Sequence, residues 1–306
     1  MPTHFGKRPP EDRRRTEHRN PASRNLDRMS AAQIVRLMNR EDRKVAIAVH
    51  GELPSIARAA EAVVHSLQHG GRLFYVGAGS SGRMAVLDAA EIAPTFGTPP
   101  TLVQALIAGG HKAVTSAVEG AEDAVRNGER DLRARKFTSK DIIVGIAASG
   151  TTPYVLGALS YARKRNATII AITSNRRMPI TRLADIVIAP EVGPEVVTGS
   201  TRLKAGTSQK LVLNMLSTAT MVRLGHVYEN LMIDAVLTNK KLEDRALRIL
   251  AEASGKSVSN GRRALRQARH DIRVALVILK RAVTAAEARK LLANADGNLR
   301  QALCET

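Results

Sequence analysis

The sequence predicts an α/β fold, a parallel sheet between helices, followed by a small all-α domain. Three observations predict it. Apolar runs of strand length alternate with stretches of helical periodicity between residues 54 and 224. Gly, Ser and Thr cluster where the apolar runs end. After about Asn239 only short amphipathic helical patterns remain. Strand–helix alternation at this spacing requires crossovers, hence parallel strands with helices on both faces.

The elements follow in order. Residues 1–28 are rich in Arg and Pro without apolar periodicity, and read as an extended basic arm, at least partly mobile. Residues 29–239 form the α/β domain with its N-terminal helices. Ile34, Leu37 and Met38 mark a helix over 30–50. Ile56, Ala59, Ala60, Val63, Val64 and Leu67 mark a second from Pro54 to His69, stopped by Gly70-Gly71. Strands are expected at Leu73–Val76, Leu102–Ile107, Ile142–Ala147, Thr168–Thr173 and Asp185–Ala189. Helices are expected from Arg83 to about Ile92, from Ala113 to Arg135 with a break near Gly120, and from Pro153 to Arg165. A long helix is expected over Thr201–Leu224. Residues 240–306 form a small helical domain, with helices at Leu242–Ala253, Val258–Arg269, Asp271–Lys280 and Ala285–Leu292.

Composition removes several function classes. The 306 residues carry 47 Lys+Arg against 28 Asp+Glu, a net charge of +19. The arm holds +4 and residues 240–306 hold +8, so the α/β domain carries only +7. With 3% aromatic residues, rings on which unpaired bases could stack are scarce, and no nucleic-acid partner is expected. The one Cys, Cys304, allows neither an internal disulfide nor a thiolate zinc site. The eight His lack metal-site spacing, so no metal or other cofactor is expected. No apolar run is long enough to span a membrane and no secretory signal core is present, so the expectation is a cytoplasmic protein without a membrane partner.

Two loops carry the chemistry. Gly77-Ala78-Gly79-Ser80-Ser81-Gly82 follows the first strand and has the G-x-G-x-x-G spacing of dinucleotide sites. The next strand ends Leu106-Ile107-Ala108-Gly109-Gly110, without the acidic residue that would hold a ribose. The hydroxyls point instead to an anion. Ser149-Gly150-Thr151-Thr152 repeats the pattern after the third strand. Both loops place small residues and hydroxyl donors at a helix N-terminus, where N–H groups and the helix dipole favour negative charge. Simple helix capping is the plain alternative. The phosphate-binding candidates are Gly79, Ser80, Ser81, Ser149, Gly150 and Thr151.

Three carboxylates are candidates for proton transfer. Glu91 stands at the C-terminal end of the helix after the first loop, a position that suits a general acid. Glu119 and Glu122 share a helix face if the helix continues through Gly120. Composition does not choose among them. Arg202 and Lys204 read as a solvated helix start or as substrate contacts, and Lys204 is kept among the substrate-binding candidates.

These motifs resemble the N-acetylmuramic acid 6-phosphate etherase family. The resemblance rests on Gly77–Arg83, Leu87–Glu91, Pro94–Gly97, Ala117–Asp123, Ala148–Tyr154 and the run from Glu195 to Met221, with Thr16-Glu17 and Arg19-Asn20 near the N-terminus. Ile92-Ala93 stands where the family often has Cys-Pro. The resemblance implies a sugar isomerase (SIS) domain with a flavodoxin-like sheet and a helical C-terminal domain. It implies cleavage of the D-lactyl ether of N-acetylmuramic acid 6-phosphate, in recycling of cell-wall sugars, by a homodimer. It also implies Glu91 as proton donor and Glu122 as the second catalytic residue. Two alternatives stand beside it: a non-catalytic sugar-phosphate sensor, and a nucleic-acid-binding regulator, for which the first 28 residues have too little apolar patterning.

Overall fold

The computed structural model describes residues 12, 14–237 and 239–304. Two helices open the chain, α1 (Ala31–His50) and α2 (Leu53–Gln68). Ser30 caps α1 in a capping box with Gln33. Five strands follow with their crossovers: β1 (Leu73–Gly77), α3 (Gly79–Phe96), β2 (Val103–Ile107), α4 (Lys112–Thr115), α5 (Val125–Ala134), β3 (Ile142–Ile146), α6 (Pro153–Lys164), β4 (Thr168–Ile172), α7 (Pro179–Leu183) and β5 (Ile186–Ile188). Helix α8 (Lys204–Arg223) follows.

All five strands are parallel, in the order β2-β1-β3-β4-β5. Every residue of β1 and β3 is buried, which explains why they read as unbroken apolar runs. The strand order reverses at β1, between β2 and β3. Ligands in open α/β sheets bind beyond the carboxyl ends of the strands at such a reversal. The two hydroxyl loops leave from β1 and β3, which pair along their whole length.

The chain divides into two compact units. The first comprises residues 1–88 and 103–216, with the sheet at its centre. One of its apolar clusters joins Phe74, Val76, Ile143, Tyr154, Leu159 and Ile169. Tyr75 donates its phenol proton to Asp88 (3.0 Å), and Asn214 donates to the same carboxylate (2.8 Å), which sets α3 beside both β1 and α8. Burial and the neighbouring Asp88 raise the Tyr75 phenol well above its usual range.

The second unit comprises residues 89–102 and 217–306. It holds the hairpin β6 (Val227–Tyr228) and β7 (Leu231–Met232), then α9 (Lys240–Ser254), α10 (Val258–Gln267), α11 (Ile272–Arg281), α12 (Ala285–Asn294) and α13 (Leu299–Leu303). Its core includes Leu247, Leu250, Leu265, Val274, Leu276 and Leu299.

Four elements differ from the sequence expectation. Helix α3 begins at Gly79, so the glycine-serine loop is itself the first helical turn. It also runs on through Pro94. The helix expected over Ala113–Arg135 is broken into α4, a 3₁₀ turn at Ala121–Asp123 and α5. Gly120, at φ +69°, breaks it. Glu119 and Glu122 therefore share no helix face. Helix α8 starts at Lys204, three residues later than expected. Residues 14–28 of the arm are wound into three 3₁₀ turns and docked on the first unit, with Thr16 and Asn20 buried. Residues 1–11 and 13 lie outside the described residues.

The arm docks through polar groups, which hydrophobic periodicity does not register. Asn20 donates to Glu41 (3.0 Å) and to the Pro194 carbonyl (3.1 Å). Glu41 also receives Lys204 (2.8 Å) and Lys44 (2.6 Å). Lys204 is 1% exposed and Glu41 2%. Burial pushes the Glu41 carboxyl upward, but its bonds from Lys204, Lys44 and Asn20 outweigh this and hold it at about 2. Its ionised form therefore contributes stability that is complete above the ordinary value of 4.5 and is lost as pH falls toward about 2. Glu41→Gln should cost roughly 3 kcal/mol in urea unfolding at pH 7, because it leaves Lys204 buried without its counter-charge. Its stability should also fall less steeply than the wild type's between pH 4.5 and 2.

Candidate active site

A cavity of about 370 Å³ opens at the carboxyl ends of β1 and β3. That size suits one small ligand. Gly79, Ser80, Ser81, Ser149, Thr151 and Glu122 all line it. Helices α3 and α6 both begin at its wall. Thr152 stands at the N-cap of α6 but makes no capping hydrogen bond through its side chain. The first N–H groups of α6 thus lack the side-chain acceptor that a pure capping role would supply.

The second loop has a fixed internal geometry. Ser149 Oγ accepts from the Thr151 amide (3.3 Å) and from Thr151 Oγ1 (3.0 Å). With its oxygen occupied as acceptor, the Ser149 hydroxyl has its own proton left to give to an anion. Gly150, within this loop, is not among the residues that line the cavity. Its φ is +75°, and a Cβ there would meet the Met178 Cβ at 2.5 Å. Its part in the loop is to let the backbone turn.

Glu122 projects from the 3₁₀ turn Ala121–Asp123, on the loop after α4. That loop is held by Arg83, near the start of α3. Its Nε donates to the Val114 carbonyl (3.0 Å) and its Nη2 to the Ser116 carbonyl (3.1 Å). One guanidinium so ties the serine turn to the carboxylate-bearing loop. A smaller cavity of about 180 Å³ adjoins, sharing Ala78, Gly79 and Glu122 and adding Glu119. Glu122, unlike Glu119, reaches the wall of the 370 Å³ cavity. A larger groove of about 780 Å³ runs along the sheet edge at β2 and α5, and none of the hydroxyl loops reaches it.

Two candidates lie elsewhere. Lys204 does not line the cavity: its ammonium is spent on Glu41, and its backbone N–H donates to Glu195 (3.0 Å). Glu195 also receives the Ala205 N–H (2.9 Å) and so caps α8; burial raises its carboxyl above the ordinary range. Glu91 belongs to the second unit, exposed on α3, twelve residues along that helix from Gly79.

The cavity also holds residues that sequence reasoning did not place in a site: Arg14, Glu17, Asp123, Gly199 and Thr201. Thr16-Glu17 stood out in the sequence as a motif, yet without a role. Arg14 is the one cationic side chain among the described lining residues, and its Nε donates to both oxygens of Asp12 (2.9 and 3.0 Å). The Arg14 side chain holds the Asp12 carboxyl down at about 2.

Doubly wound topology with hydroxyl loops at the strand reversal defines a class, and the sequence comparisons agree on it. The SIS domain family matches residues 121–219, and the glucokinase regulatory protein N-terminal SIS domain family matches residues 55–163. This is an SIS-domain protein. Among solved structures, a phosphoheptose isomerase from Francisella tularensis is 21% identical over 63% of this chain and 98% of its own, at a TM-score of 0.48. An N-acetylmuramic acid 6-phosphate etherase of Pectobacterium atrosepticum is 51% identical over 94% of this chain and 95% of its own length. One from Yersinia pestis is 51% identical over 94% of this chain and 98% of its own. The chain belongs to the N-acetylmuramic acid 6-phosphate etherase family.

Proposed function

We propose that the protein converts N-acetylmuramic acid 6-phosphate to N-acetylglucosamine 6-phosphate and D-lactate by elimination followed by water addition. The observation that carries this reading is one cavity joining a hydroxyl-lined anion cradle to the carboxylate of Glu122, in a chain half identical to etherases over nearly its whole length.

The phosphate rests on Ser80, Ser81, Ser149 and Thr151 and on the N–H groups of two helix starts. Held there, it positions the reacting carbons, so remote binding energy is used at the reaction centre. In the open-chain sugar the carbonyl at carbon 1 acidifies the proton on carbon 2. Glu122 takes that proton, the carbon 3–oxygen bond breaks, and Glu91 protonates the departing lactate oxygen. Glu91 then draws a proton from water as it adds to carbon 3, and Glu122 returns its proton to carbon 2. One water is consumed, and both carboxyl groups end as they began. Gly150 shapes the cradle, and Lys204 acts on it only through the arm and the start of α8.

Glu91 enters through a second copy of the chain. Glu91 is not among the residues that line the cavity with Glu122. Leu87, 52% exposed, lies one turn before Glu91 on the same helix face, and Met215 on α8 is 38% exposed. The Asp88–Asn214 hydrogen bond holds the two helices together, and exposed apolar side chains on them suit contact with a partner. The partner here is a homodimer mate. The cytoplasm, where a phosphorylated sugar is retained, is the compartment this substrate implies, and among the described residues no helix is long and apolar enough to cross a membrane.

The direct test incubates the protein with N-acetylmuramic acid 6-phosphate in ¹⁸O-water and measures D-lactate. Lactate should appear, with the label at carbon 3 of the sugar and not in lactate. Binding without lactate would leave a sugar-phosphate sensor; label in lactate would overturn the elimination route. Arg83 provides a second check. Arg83→Lys keeps the charge but loses the two-pronged hold on the Glu122 loop. It should lower kcat about tenfold with KM changed far less, since the phosphate cradle is intact.

A further inference from the structure

We propose that Glu17 is a substrate-contacting residue: its carboxylate accepts a hydrogen bond from a hydroxyl of the sugar, so the cavity selects a sugar phosphate over bare phosphate. The inference rests on the sugar-phosphate reading above and adds to it a wall supplied by the N-terminal arm.

Glu17 closes the 3₁₀ turn Arg15–Glu17 and lines the same cavity as Ser80 and Ser149. Its backbone is fastened to the second hydroxyl loop. Asn175, 2% exposed, accepts from the Arg15 N–H (2.8 Å) and donates to the carbonyl of Ala148 (2.8 Å), the residue before Ser149. The same amide donates to Thr16 Oγ1 (3.4 Å), and Thr16 is 1% exposed. Among the described residues, the Glu17 carboxylate itself accepts one bond, from Thr16 Oγ1 (3.3 Å). Its other oxygen lies beside Gly199, 3.4 Å from where a Cβ there would stand.

The chemistry argues for a hydroxyl partner. An ionised carboxylate accepts and does not donate. Placed in a cavity whose donors suit phosphate, it repels the anion unless something between them supplies protons. A sugar 6-phosphate does so, with its phosphate in the cradle and its hydroxyl O–H groups turned to Glu17. Arg14 attracts Glu17 electrostatically but makes its hydrogen bonds to Asp12, so a sugar hydroxyl still finds an acceptor in Glu17.

The test measures binding of two probes, N-acetylglucosamine 6-phosphate and inorganic phosphate, to wild type, Glu17→Gln, Glu17→Asp and Asn175→Ala. Glu17→Gln should weaken the sugar phosphate about ten- to hundredfold, the loss expected for a hydrogen bond to a charged group. Phosphate affinity should hold or rise, since a negative charge is removed. Glu17→Asp should recover part of the loss. In lactate release KM should rise more than kcat falls, and exchange of the carbon 2 proton should persist at saturating substrate. Limited proteolysis of the arm should be as slow in Glu17→Gln as in wild type, and faster in Asn175→Ala. Equal loss for both probes, unchanged sugar-phosphate affinity, faster arm cleavage in Glu17→Gln, or loss of carbon 2 exchange at saturation would each overturn the proposal. The two readings fail separately. A wild type that binds the sugar phosphate through Glu17 yet releases no lactate sinks the etherase alone. Normal lactate release with an unchanged KM in Glu17→Gln sinks this inference alone.

Discussion

Glu122→Gln is expected to lower D-lactate release about a thousandfold, within the range that a positioned base contributes. Glutamine keeps the shape of the side chain but cannot take a proton from carbon 2. Ser80, Ser81, Ser149 and Thr151 are untouched, so N-acetylglucosamine 6-phosphate should bind within a few-fold of wild type. Deuterium exchange at carbon 2 of that product should stop together with lactate release. Exchange at the wild-type rate would remove Glu122 from the role of base. Glu119 would then be the next carboxylate to test, because it lines the adjoining cavity that shares Glu122.

The second large effect is a gain. Glu91→Ala and Glu122→Ala should each be inactive alone, and an equal mixture after subunit exchange should recover about a quarter of wild-type activity. The figure is statistical: half the dimers formed at random are mixed, and each has one of its two sites intact if Glu91 and Glu122 come from different copies. Size measurement should give a dimer throughout. A mixture that stays inactive while mixed dimers are present would place both carboxylates in one chain. Full activity of Glu91→Ala alone would remove it from the chemistry.

The reach of sequence reasoning follows from what periodicity measures. Fully buried parallel strands are continuous apolar runs, so Leu73–Gly77 and Ile142–Ile146 were legible to within a residue. Pro153 and the glycine pair after α2 are local stop and start signals and act as read. The interruption at Gly120 was legible as a place but not in extent. A positive φ breaks a helix outright, and the two carboxylates flanking it part company. The arm was the harder case. Thr16, Asn20 and Asn175 are buried polar residues with partners from 21 to 174 positions away, so no local pattern reports them. Lys204 shows the same limit from the other side. A lysine at a helix start reads as solvated or ligand-bound, and its commitment to Glu41 appears only when α1 and α8 are brought together. The net charge of +19 draws attention first in the sequence, yet among the described residues the cavity walls carry one cation, Arg14, beside hydroxyls and carboxylates.

The docking of the arm also has a consequence for synthesis. Asn20 emerges from the ribosome well before the Pro194 carbonyl it donates to, and its other partner is a carboxylate that must also receive Lys204. Domains fold largely as they emerge, and contacts of long sequence separation form late. The wall that Glu17 supplies is thus the earliest part of the cavity to be translated and among the last to be fastened. A nascent chain halted before Pro194 would present the sheet and both hydroxyl turns while Asn20 still lacked its carbonyl partner.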